Sequence, residues 1–527
     1  MQKLHDALNE RSKKINKIEK LKESKTPMSV YERLDEICAG TLDDLEDADS
    51  AFFLKCFGLF LKKDGKFMLR IRIPAGQLNP TQAAKLGEIS KLYGDDYIDI
   101  TTRQQLEFRF LELKNLSTVL KELASVGITT FQTGVDNFRN IVTSSFDGLG
   151  DKSVIECKPI IDELQAIFLN KEEWIATLPR KFNTAILGST MNDCNIYGHD
   201  CCFVLASKDG EIGFNLYLGG RVGVQARDSG LFVSKEQVVP TFRAVIELFK
   251  KYGFRDNRNK NRLHFLLEAV GMESFVQAIQ EYASIDYAKS GEILCQDEYM
   301  LNDSGVFDLD EEQKAIHLSV PSGVFAGSDL LEVGLLANKK DAIIRLSVEQ
   351  SLYIIAEKKD VACIKSSEIF KKYEGYQNTY FNHQIACAGT ATCAFGVIPN
   401  KPDAIEMANF LAKEVPIKDG KVRMYWSACP KGCGIHGVAD IGFEGCKAKD
   451  KEGNSCYGVH ILIGGKVTKE AKEARVLYKS VPLTQAKYLV KDLMLKYKNE
   501  RLENETFEAY DTRILSHLSS EEITSSI

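Results

Sequence analysis

Four of the fourteen cysteines are clustered in two short loops. Cys387 and Cys393 have five residues between them, and Cys429 and Cys433 have three. A structural zinc ion usually takes ligand pairs separated by two to four residues, so the second loop suits zinc and the first is loose. An iron–sulfur cube is larger than one ion and is held by four thiolates, so looser spacing is natural. The spacing favours an iron–sulfur cluster, with a zinc site and unliganded thiols as alternatives.

Five basic residues each stand in a short motif rather than in a run of charges. Arginine and lysine side chains that converge in a concave site bind carboxylates or small anions, and arginine adds two-point geometry. The alternative is that each is a separate, solvated surface residue, which is the usual position of a charged side chain. The five candidates are Arg103, Arg139, Arg180, Lys181 and Arg262.

The composition is that of a globular protein with an ample core. Of the 527 residues, 44% are hydrophobic and 27% are charged, and the net charge is −6. This balance gives no electrostatic reason to expect a nucleic-acid partner. No apolar run approaches the ~20 residues that cross a bilayer, and the charged N-terminus lacks the apolar core of a secretory signal. We therefore expect a cytoplasmic protein without a membrane or nucleic-acid partner, whose cysteines are thiols or metal ligands.

A strand–helix–strand pattern near the N-terminus recurs in the second half of the chain. The turn at 74–76 matches 321–323 at an offset of 247 residues, and Gln104 matches Gln350 at an offset of 246. Patterns that stay parallel apart from a one-residue slip indicate an old internal duplication, and the period is too long for a solenoid. The sequence predicts two related half-molecules, each opening with a small α+β unit.

The two copies differ in charge at one position. Arg103 precedes Gln104 in the first copy, whereas Glu349 precedes Gln350 in the second. The scaffold is shared and the charge is not, so we expect the first copy to face an anion.

Taken in order, the motifs resemble those of the sirohaem-dependent nitrite and sulfite reductase family. Each motif alone is weak, but the ordered set is specific and spans nearly the whole chain. The motifs are TTRQQLEF, DNFRN, LPRKFN, the Cys-x5-Cys loop and the CP-x-x-C-G loop. The resemblance implies an internally duplicated α+β fold, in which two ferredoxin-like half-domains and two larger mixed α/β lobes enclose sirohaem and an iron–sulfur cluster.

With that resemblance, the chain divides into six expected segments. They are an N-terminal helical segment (1–48), a first ferredoxin-like half-domain (49–120), a sirohaem-binding lobe (121–300), a second half-domain (310–375), a second lobe with the cluster and sirohaem (376–480) and a C-terminal helical tail (481–527).

The resemblance also implies which cysteines bind metal. It places a [4Fe–4S] cluster on Cys387, Cys393, Cys429 and Cys433, and it makes Cys433 the thiolate shared with the sirohaem iron. Electrons then pass from the cluster to the macrocycle.

The basic residues acquire roles in the same way. By resemblance, Arg103, Arg139 and Lys181 line the open face of the cofactor where the substrate anion binds. Arg180 and Arg262 are expected to hold sirohaem carboxylates, since sirohaem is itself a carboxylate-rich anion.

The implied reaction is the six-electron reduction of nitrite to ammonia, or alternatively of sulfite to sulfide. The chain shows no flavin or nicotinamide fingerprint, so an external one-electron donor is implied, and ferredoxin is the expected one. A sirohaem-free [4Fe–4S] electron-transfer protein and a zinc-stabilised nucleic-acid-binding protein are the other classes. The basic residues argue against the first of these and the net charge against the second.

Asn183 is the expected substrate selector. It follows Lys181 by two residues, so both side chains share one face of an extended segment. Within the family a second lysine here is typical of sulfite reductases, and asparagine of nitrite reductases. Sulfite is largely divalent and favours one more cation, so Asn183 favours nitrite. One departure is Lys431, where the family usually has a different residue and where we expect an ion pair with a sirohaem carboxylate.

Overall fold

The computed structural model describes residues 1–11, 14–221, 223–295, 305–467 and 472–527. Short helices form the N-terminal segment, and a π-helical turn at Asp49–Phe53 leads into the last of them. Asn16 and Thr26 cap two of these helices by accepting hydrogen bonds from backbone N–H groups of the first turn. The helices are α1 Gln2–Arg11, α2 Lys17–Lys22, α3 Pro27–Tyr31, α4 Leu34–Ala39 and α5 Leu54–Cys56.

The first ferredoxin-like unit is an antiparallel sheet with two helices. Its elements are β1 Leu59–Leu61, β2 Phe67–Ile71, β3 Gln77–Leu78, α6 Pro80–Tyr93, β4 Tyr97–Ile100, β5 Leu106–Leu111 and α7 Leu116–Ser125. Asn79 and Gln82 form a capping box at the start of α6. The sequence indicates one strand region over 96–111, whereas the structure has two antiparallel strands, with Arg103 on the turn between them.

The first lobe contains a sheet of mixed direction. Its elements are β6 Phe138–Val142, α8 Lys158–Ala166, β7 Phe182–Leu187, β8 Cys201–Lys208, β9 Glu211–Leu218, β10 Arg227–Ser234, α9 Val238–Tyr252, α10 Leu263–Val270, α11 Met272–Ala283 and β11 Glu292–Ile293. β6, β7 and β8 run parallel, and β9 and β10 continue the sheet antiparallel. The last residues of the expected lobe, 296–300, lie outside the described residues.

The second half repeats both units. The second ferredoxin-like unit comprises β12 Val306–Asp308, β13 Gln313–Leu318, β14 Val324–Ala326, α12 Gly327–Lys340, β15 Ile343–Leu346, β16 Leu352–Glu357, α13 Val361–Lys365 and α14 Glu368–Tyr373. The second lobe comprises α15 Thr379–Asn382, β17 Gln384–Ala386, α16 Lys401–Glu414, β18 Met424–Ser427, β19 Ile441–Lys449, β20 Ser455–Ile463 and β21 Arg475–Pro482. β17, β18 and β19 run parallel, and β20 and β21 antiparallel, which repeats the strand pattern of the first lobe.

Three helices close the chain over the second lobe. They are α17 Leu483–Glu500, α18 Phe507–Arg513 and α19 Ser520–Ser525. Buried side chains of α17 and α18, among them Leu493, Tyr497 and Phe507, belong to the core of the second lobe. Among the described residues, the model contains no helix whose length and apolar character would let it span a bilayer.

The two ferredoxin-like units exchange one short strand each. β14 of the second half pairs with β4, and β3 of the first half pairs with β15. The sheet orders are therefore β1-β2-β5-β4-β14 and β12-β13-β16-β15-β3. The exchange joins the two halves through backbone hydrogen bonds, so neither sheet is complete without the other half.

Helices α6 and α12 pack against each other at very short range. A Cβ atom on Gly87 would lie 2.3 Å from the backbone nitrogen of Leu331, and one on Gly334 would lie 2.5 Å from that of Ala84. Only glycine permits this approach. Buried residues of both units merge into one hydrophobic core. The prediction of an internally duplicated α+β fold is confirmed.

Candidate active site

The two cysteine loops leave the same edge of the second lobe. The loop with Cys387 and Cys393 follows β17, and the loop with Cys429 and Cys433 follows β18. β17 and β18 are neighbouring parallel strands, so their carboxyl ends lie side by side. This edge is where open sheets commonly place their sites.

Cys387 is held most firmly of the four. Its Sγ accepts hydrogen bonds from the N–H of Ala428 at 3.2 Å and from Nδ2 of Asn400 at 3.5 Å. Burial, with smaller contributions from Cys433 and Cys393, raises the pKa of the Cys387 thiol to about 11, although the N–H groups of Ala428 and Gly389 act in the opposite direction. N–H groups directed at a sulfur stabilise a thiolate and are typical of cluster ligands.

Backbone also approaches this site closely. Gly389 has a φ of +71°, and a Cβ there would lie 1.7 Å from the carbonyl oxygen of Pro399. The loop can pass Pro399 only because this residue is glycine. Over the described residues, no three Cys, His, Asp or Glu side chains converge as ligands of one metal ion.

The predicted basic residues come together from separate elements. Arg139 lies on β6, Lys181 directly precedes β7, and Arg103 lies on the turn between β4 and β5. Burial lowers the pKa of Lys181 well below its ordinary value, and Arg262, Arg103 and Arg139 lower it further. Cys433 raises it, so Lys181 also lies near the second cysteine loop.

These cations lack counter-charges, and Arg139 is buried while Arg103 and Lys181 are half-buried. Within the described part of the chain, Arg103, Arg139 and Lys181 take part in no ion pair, whereas Arg70, Arg180 and Arg262 do. Burial lowers the pKa of Arg103 to about 10, with Arg70 as the next cause. Burying unpaired cations is unfavourable unless an anion is bound there. The arrangement therefore suits a carboxylate-rich cofactor or a small oxyanion.

Two buried polar atoms in the pocket have no partner among the described residues. They are Nε of Arg103 and Oδ1 of Asn183. A buried polar group without a hydrogen bond is unfavourable, and a ligand is the usual explanation at a site. The backbone N–H of Asn183 is bonded to Asp200 at 2.8 Å, which fixes the backbone that carries this side chain.

Arg180 and Arg262 are bound within the protein. Nε of Arg180 donates to the carbonyl of Arg258 at 3.3 Å. Arg262 donates from Nε and Nη2 to the two carboxylate oxygens of Asp200, at 2.9 and 2.6 Å.

The second lobe contains an ion pair similar to that between Arg262 and Asp200. Arg423 donates to Asp440 and to the carbonyl of Gly465, just as Arg262 donates to Asp200 and to the carbonyl of Gly220. An ion pair that recurs in both lobes indicates that Arg262 holds the fold together at this point.

Two further arginines, Arg70 on β2 and Arg72 directly after it, lie near the basic residues. After burial, Arg70 is the largest cause that lowers the pKa values of both Arg103 and Arg139. Arg72 is fully buried, and its guanidinium donates to the carbonyls of Phe131, Gln132, Phe138 and Arg139, so it holds the segment that carries Arg139. The signal in the sequence is two arginines among the apolar residues at the end of β2 and directly after it.

Lys431 contacts an aromatic ring of the first cysteine loop. Its Nζ is 3.0 Å from the ring centroid of Phe395, and both side chains are exposed. The lysine stacks on the first cysteine loop rather than entering the buried basic pocket. The ion pair between Lys431 and a sirohaem carboxylate stays a prediction.

Sequence models of two related domains match this chain. The model described as "Nitrite and sulphite reductase 4Fe-4S domain" matches residues 134–287 and 382–514. The model described as "Nitrite/Sulfite reductase ferredoxin-like half domain" matches residues 60–126. Together they cover more than half of the chain. The chain belongs to the nitrite and sulphite reductase family. Members of this family are oxidoreductases, which confirms the predicted enzyme class.

Curated relatives of this family member cover most of its length. A protein named ferredoxin–nitrite reductase from Synechococcus elongatus is 32% identical, over 87% of this chain and 92% of the relative. The chloroplastic ferredoxin–nitrite reductase of Spinacia oleracea is 28% identical, over 91% and 85%. The solved structure of the Mycobacterium tuberculosis NirA protein superposes with a TM-score of 0.87 at 22% identity, over 97% and 98%, which shows that the fold is shared.

Proposed function

We propose that this reductase converts nitrite to ammonia with six electrons, using sirohaem and a [4Fe–4S] cluster and receiving its electrons from ferredoxin. The relatives named above support nitrite and ferredoxin. The observation that supports the proposal most strongly is the group of unpaired cations Arg103, Arg139 and Lys181, with Cys433 among the charged groups that act on Lys181. Such a group favours a bound anion, and we propose that this anion binds next to the redox centre of the cysteine loops.

The cysteine loops are proposed to hold the cluster. Cys387, Cys393, Cys429 and Cys433 would be its ligands, and Cys433 would also hold sirohaem. The fit rests on the N–H groups that point at Cys387 and on the exposure of Cys433. When bound, the two cofactors supply electrons one at a time and a metal site for the substrate.

Arg103, Arg139 and Lys181 are proposed to bind both the sirohaem and the substrate anion. Arg103 and Arg139 supply charges that stay fixed over the working pH range. Arg180 and Arg262 are proposed to contribute less to sirohaem binding, because each already donates a hydrogen bond within the protein. Binding of an anion compensates for the repulsion among the cations.

Lys181 is proposed to supply protons. Nitrite takes up six electrons and eight protons to give ammonium and two water molecules. Because burial lowers the pKa of Lys181, its Nζ gives up a proton more readily than an exposed lysine. A bound anion raises that pKa again and recharges the side chain. The proton is therefore held at Nζ while the anion is present and can pass to its oxygen.

Asn183 is proposed to favour nitrite over sulfite. Its amide is neutral, and the buried Oδ1 has no hydrogen-bond partner among the described residues. A monovalent anion is matched by fewer positive charges than a divalent one, so an amide next to Lys181 suits nitrite. Sulfite reduction is the second candidate, because the family includes both activities.

Two measurements on the purified protein test the proposal. The first is iron content with an absorption spectrum, where we expect a Soret band and a red band of a chlorin-type haem. A cluster without those bands would instead indicate a sirohaem-free electron-transfer protein, and zinc without iron would restore the zinc alternative. The second compares kcat/KM for nitrite and for sulfite with reduced ferredoxin and with a viologen dye. A preference for sulfite would overturn the choice of substrate.

A further inference from the structure

We propose that Glu107 is a positioning residue of the anion pocket, which fixes the guanidinium of Arg70 beside Arg103 and Arg139. The inference deepens the proposed function and rests on it, since it assumes that this pocket binds the reducible anion.

Glu107 and Arg70 are direct neighbours on adjacent strands. They are opposite each other in the register of β2 and β5. Oε1 of Glu107 accepts from Nε of Arg70 at 2.8 Å and lies 2.7 Å from its Nη2. Nη1 of Arg70 donates to the carbonyl of Thr133 at 3.2 Å. These bonds fix the plane of the guanidinium, because two of them share one acceptor and the third holds the far nitrogen.

Glu107 is itself fixed from the other side. Its Oε2 accepts from Nη2 of Arg109 at 2.6 Å, and Arg109 also donates to Asp99 at 2.6 Å. Asp99 lies opposite Glu107 in the register of β4 and β5. Basic and acidic side chains thus alternate in a row that crosses β2, β5 and β4. Glu107, at 7% exposure, is buried together with Arg109 and Asp99.

The row continues into the second half of the molecule. Nζ of Lys401 lies 2.8 Å from Asp99 and donates to the carbonyl of Ser322 at 2.6 Å. Lys401 is the first residue of α16. Its neighbour Asn400 bonds to the carbonyl and the sulfur of Cys387. The ion pairs therefore connect the anion pocket with the base of the first cysteine loop.

Two opposite effects of Glu107 on anion binding can be separated. As a negative charge near the pocket, it weakens the attraction for an anion. As the partner of Arg70, it strengthens binding by holding a guanidinium in place before the anion arrives, which removes an ordering cost. We infer that the second effect dominates, because the contact with Arg70 is direct and is supported by Arg109.

The test is a double-mutant cycle with E107Q and R70Q. Nitrite binding is titrated on the purified holoenzyme by difference absorption, which gives a dissociation constant without turnover. In the Arg70 background, we expect E107Q to raise the dissociation constant about tenfold. In the R70Q background, we expect E107Q to have less than a twofold effect, because the residue through which it acts is gone.

Two further variants separate position from charge and from folding. E107D keeps the charge but withdraws the carboxylate by one methylene group, so we expect binding between that of wild type and E107Q. D329N removes a carboxylate that pairs with Lys372 in the other half-domain, and we expect it to lower thermal stability without changing nitrite binding. If E107Q does not fold, E107D with and without R70Q completes the cycle.

Three results would overturn the inference. They are tighter nitrite binding by E107Q, equal effects of E107Q in both backgrounds, and unchanged binding in E107Q and E107D. A failure of the proposed function is seen separately in the wild type. If wild type binds sulfite and not nitrite, the substrate is wrong, and the same cycle with sulfite still decides the role of Glu107.

Discussion

Gln104 and Gln350 occupy equivalent turns in the two halves, and each joins its own lobe to the opposite half. Nε2 of Gln104 donates to the carbonyl of Leu346 at 3.1 Å, and Nε2 of Gln350 donates to that of Ile100 at 2.9 Å. Each side-chain oxygen accepts a backbone N–H of its own lobe, from Thr143 and from Ala386. The pair thus ties together the four units that surround the site.

Loss of either glutamine should destabilise the whole molecule. Gln104 and Gln350 are buried, so Q104A and Q350A each leave backbone groups without partners. We expect each to lower the free energy of unfolding by about 2–4 kcal/mol. Chemical denaturation measures this, with the exposed Q277A as the control. Ala386 directly precedes Cys387, so Q350A should also lower the iron content. Unchanged stability in both variants would show that the bonds contribute little.

The duplication could be recognised from the sequence because such turns depend on local residue types. Gln104 and Gln350 both have positive φ, of 52° and 59°, and each half also has an earlier turn with proline and glycine, at 74–76 and at 321–323. The exchange of β3 and β14 could not be recognised, because strands of two and three residues carry no periodicity. The sequence of a strand also does not determine which other strand it pairs with.

Candidate site residues can be singled out from the sequence where their chemistry is unusual. Four cysteines in two loops have few roles, so the sequence itself marks them as metal-ligand candidates. Arg70 carries no such signal, because arginine on a strand is unremarkable until its neighbours are known. The ion pair of Arg262 cannot be read from the sequence, because its partner, Asp200, is 62 residues away. The contact of Lys431 with Phe395 is likewise not given by the spacing of the loop.

Substitution of a cluster ligand should remove iron. We expect C387S and C433S to reduce iron and acid-labile sulfide to less than half of the wild-type content, because each removes one of four thiolate ligands. C363S, which changes an exposed cysteine outside both loops, should leave the content unchanged. Full iron content in C433S would show that this sulfur is not a ligand.

Asn183→Lys should move the specificity toward sulfite. The change adds a cation beside Lys181, and a divalent anion gains more from it than a monovalent one. We expect the ratio of kcat/KM for sulfite to that for nitrite to rise about tenfold. N183Q is the control for size, since it keeps the amide. An unchanged ratio in N183K would show that Asn183 is not the selector.

The Glu107 ion pairs should make stability depend on pH in the acid range. Burial raises the pKa of Glu107, but Arg70 and Arg109, with Lys62, outweigh it and lower the pKa to about 2. A lowered carboxylate pKa contributes stability that is complete above the unfolded value of 4.5 and is lost as the pH falls toward 2. We expect the difference in unfolding free energy between wild type and E107Q to be smaller at pH 3.5 than at pH 6. A difference that is the same at both pH values would contradict this assignment.

Electrons from a protein donor should enter at the exposed pair of Phe395 and Lys431. Phe395 is 62% exposed, and its ring and the lysine connect the two cysteine loops at the surface. An apolar ring beside a cation suits an acidic carrier, and a short path to the cluster requires docking at these loops.

We expect F395A and K431E to raise the KM for ferredoxin about tenfold at low salt, and less at high salt. Turnover with a viologen dye should stay within twofold of wild type, because a small dye needs no docking surface. Y488A and K491E change an exposed ring and a half-buried lysine near it on α17, and we expect them to leave the KM for ferredoxin unchanged. Equal losses with ferredoxin and dye would instead show damage to the cluster loops.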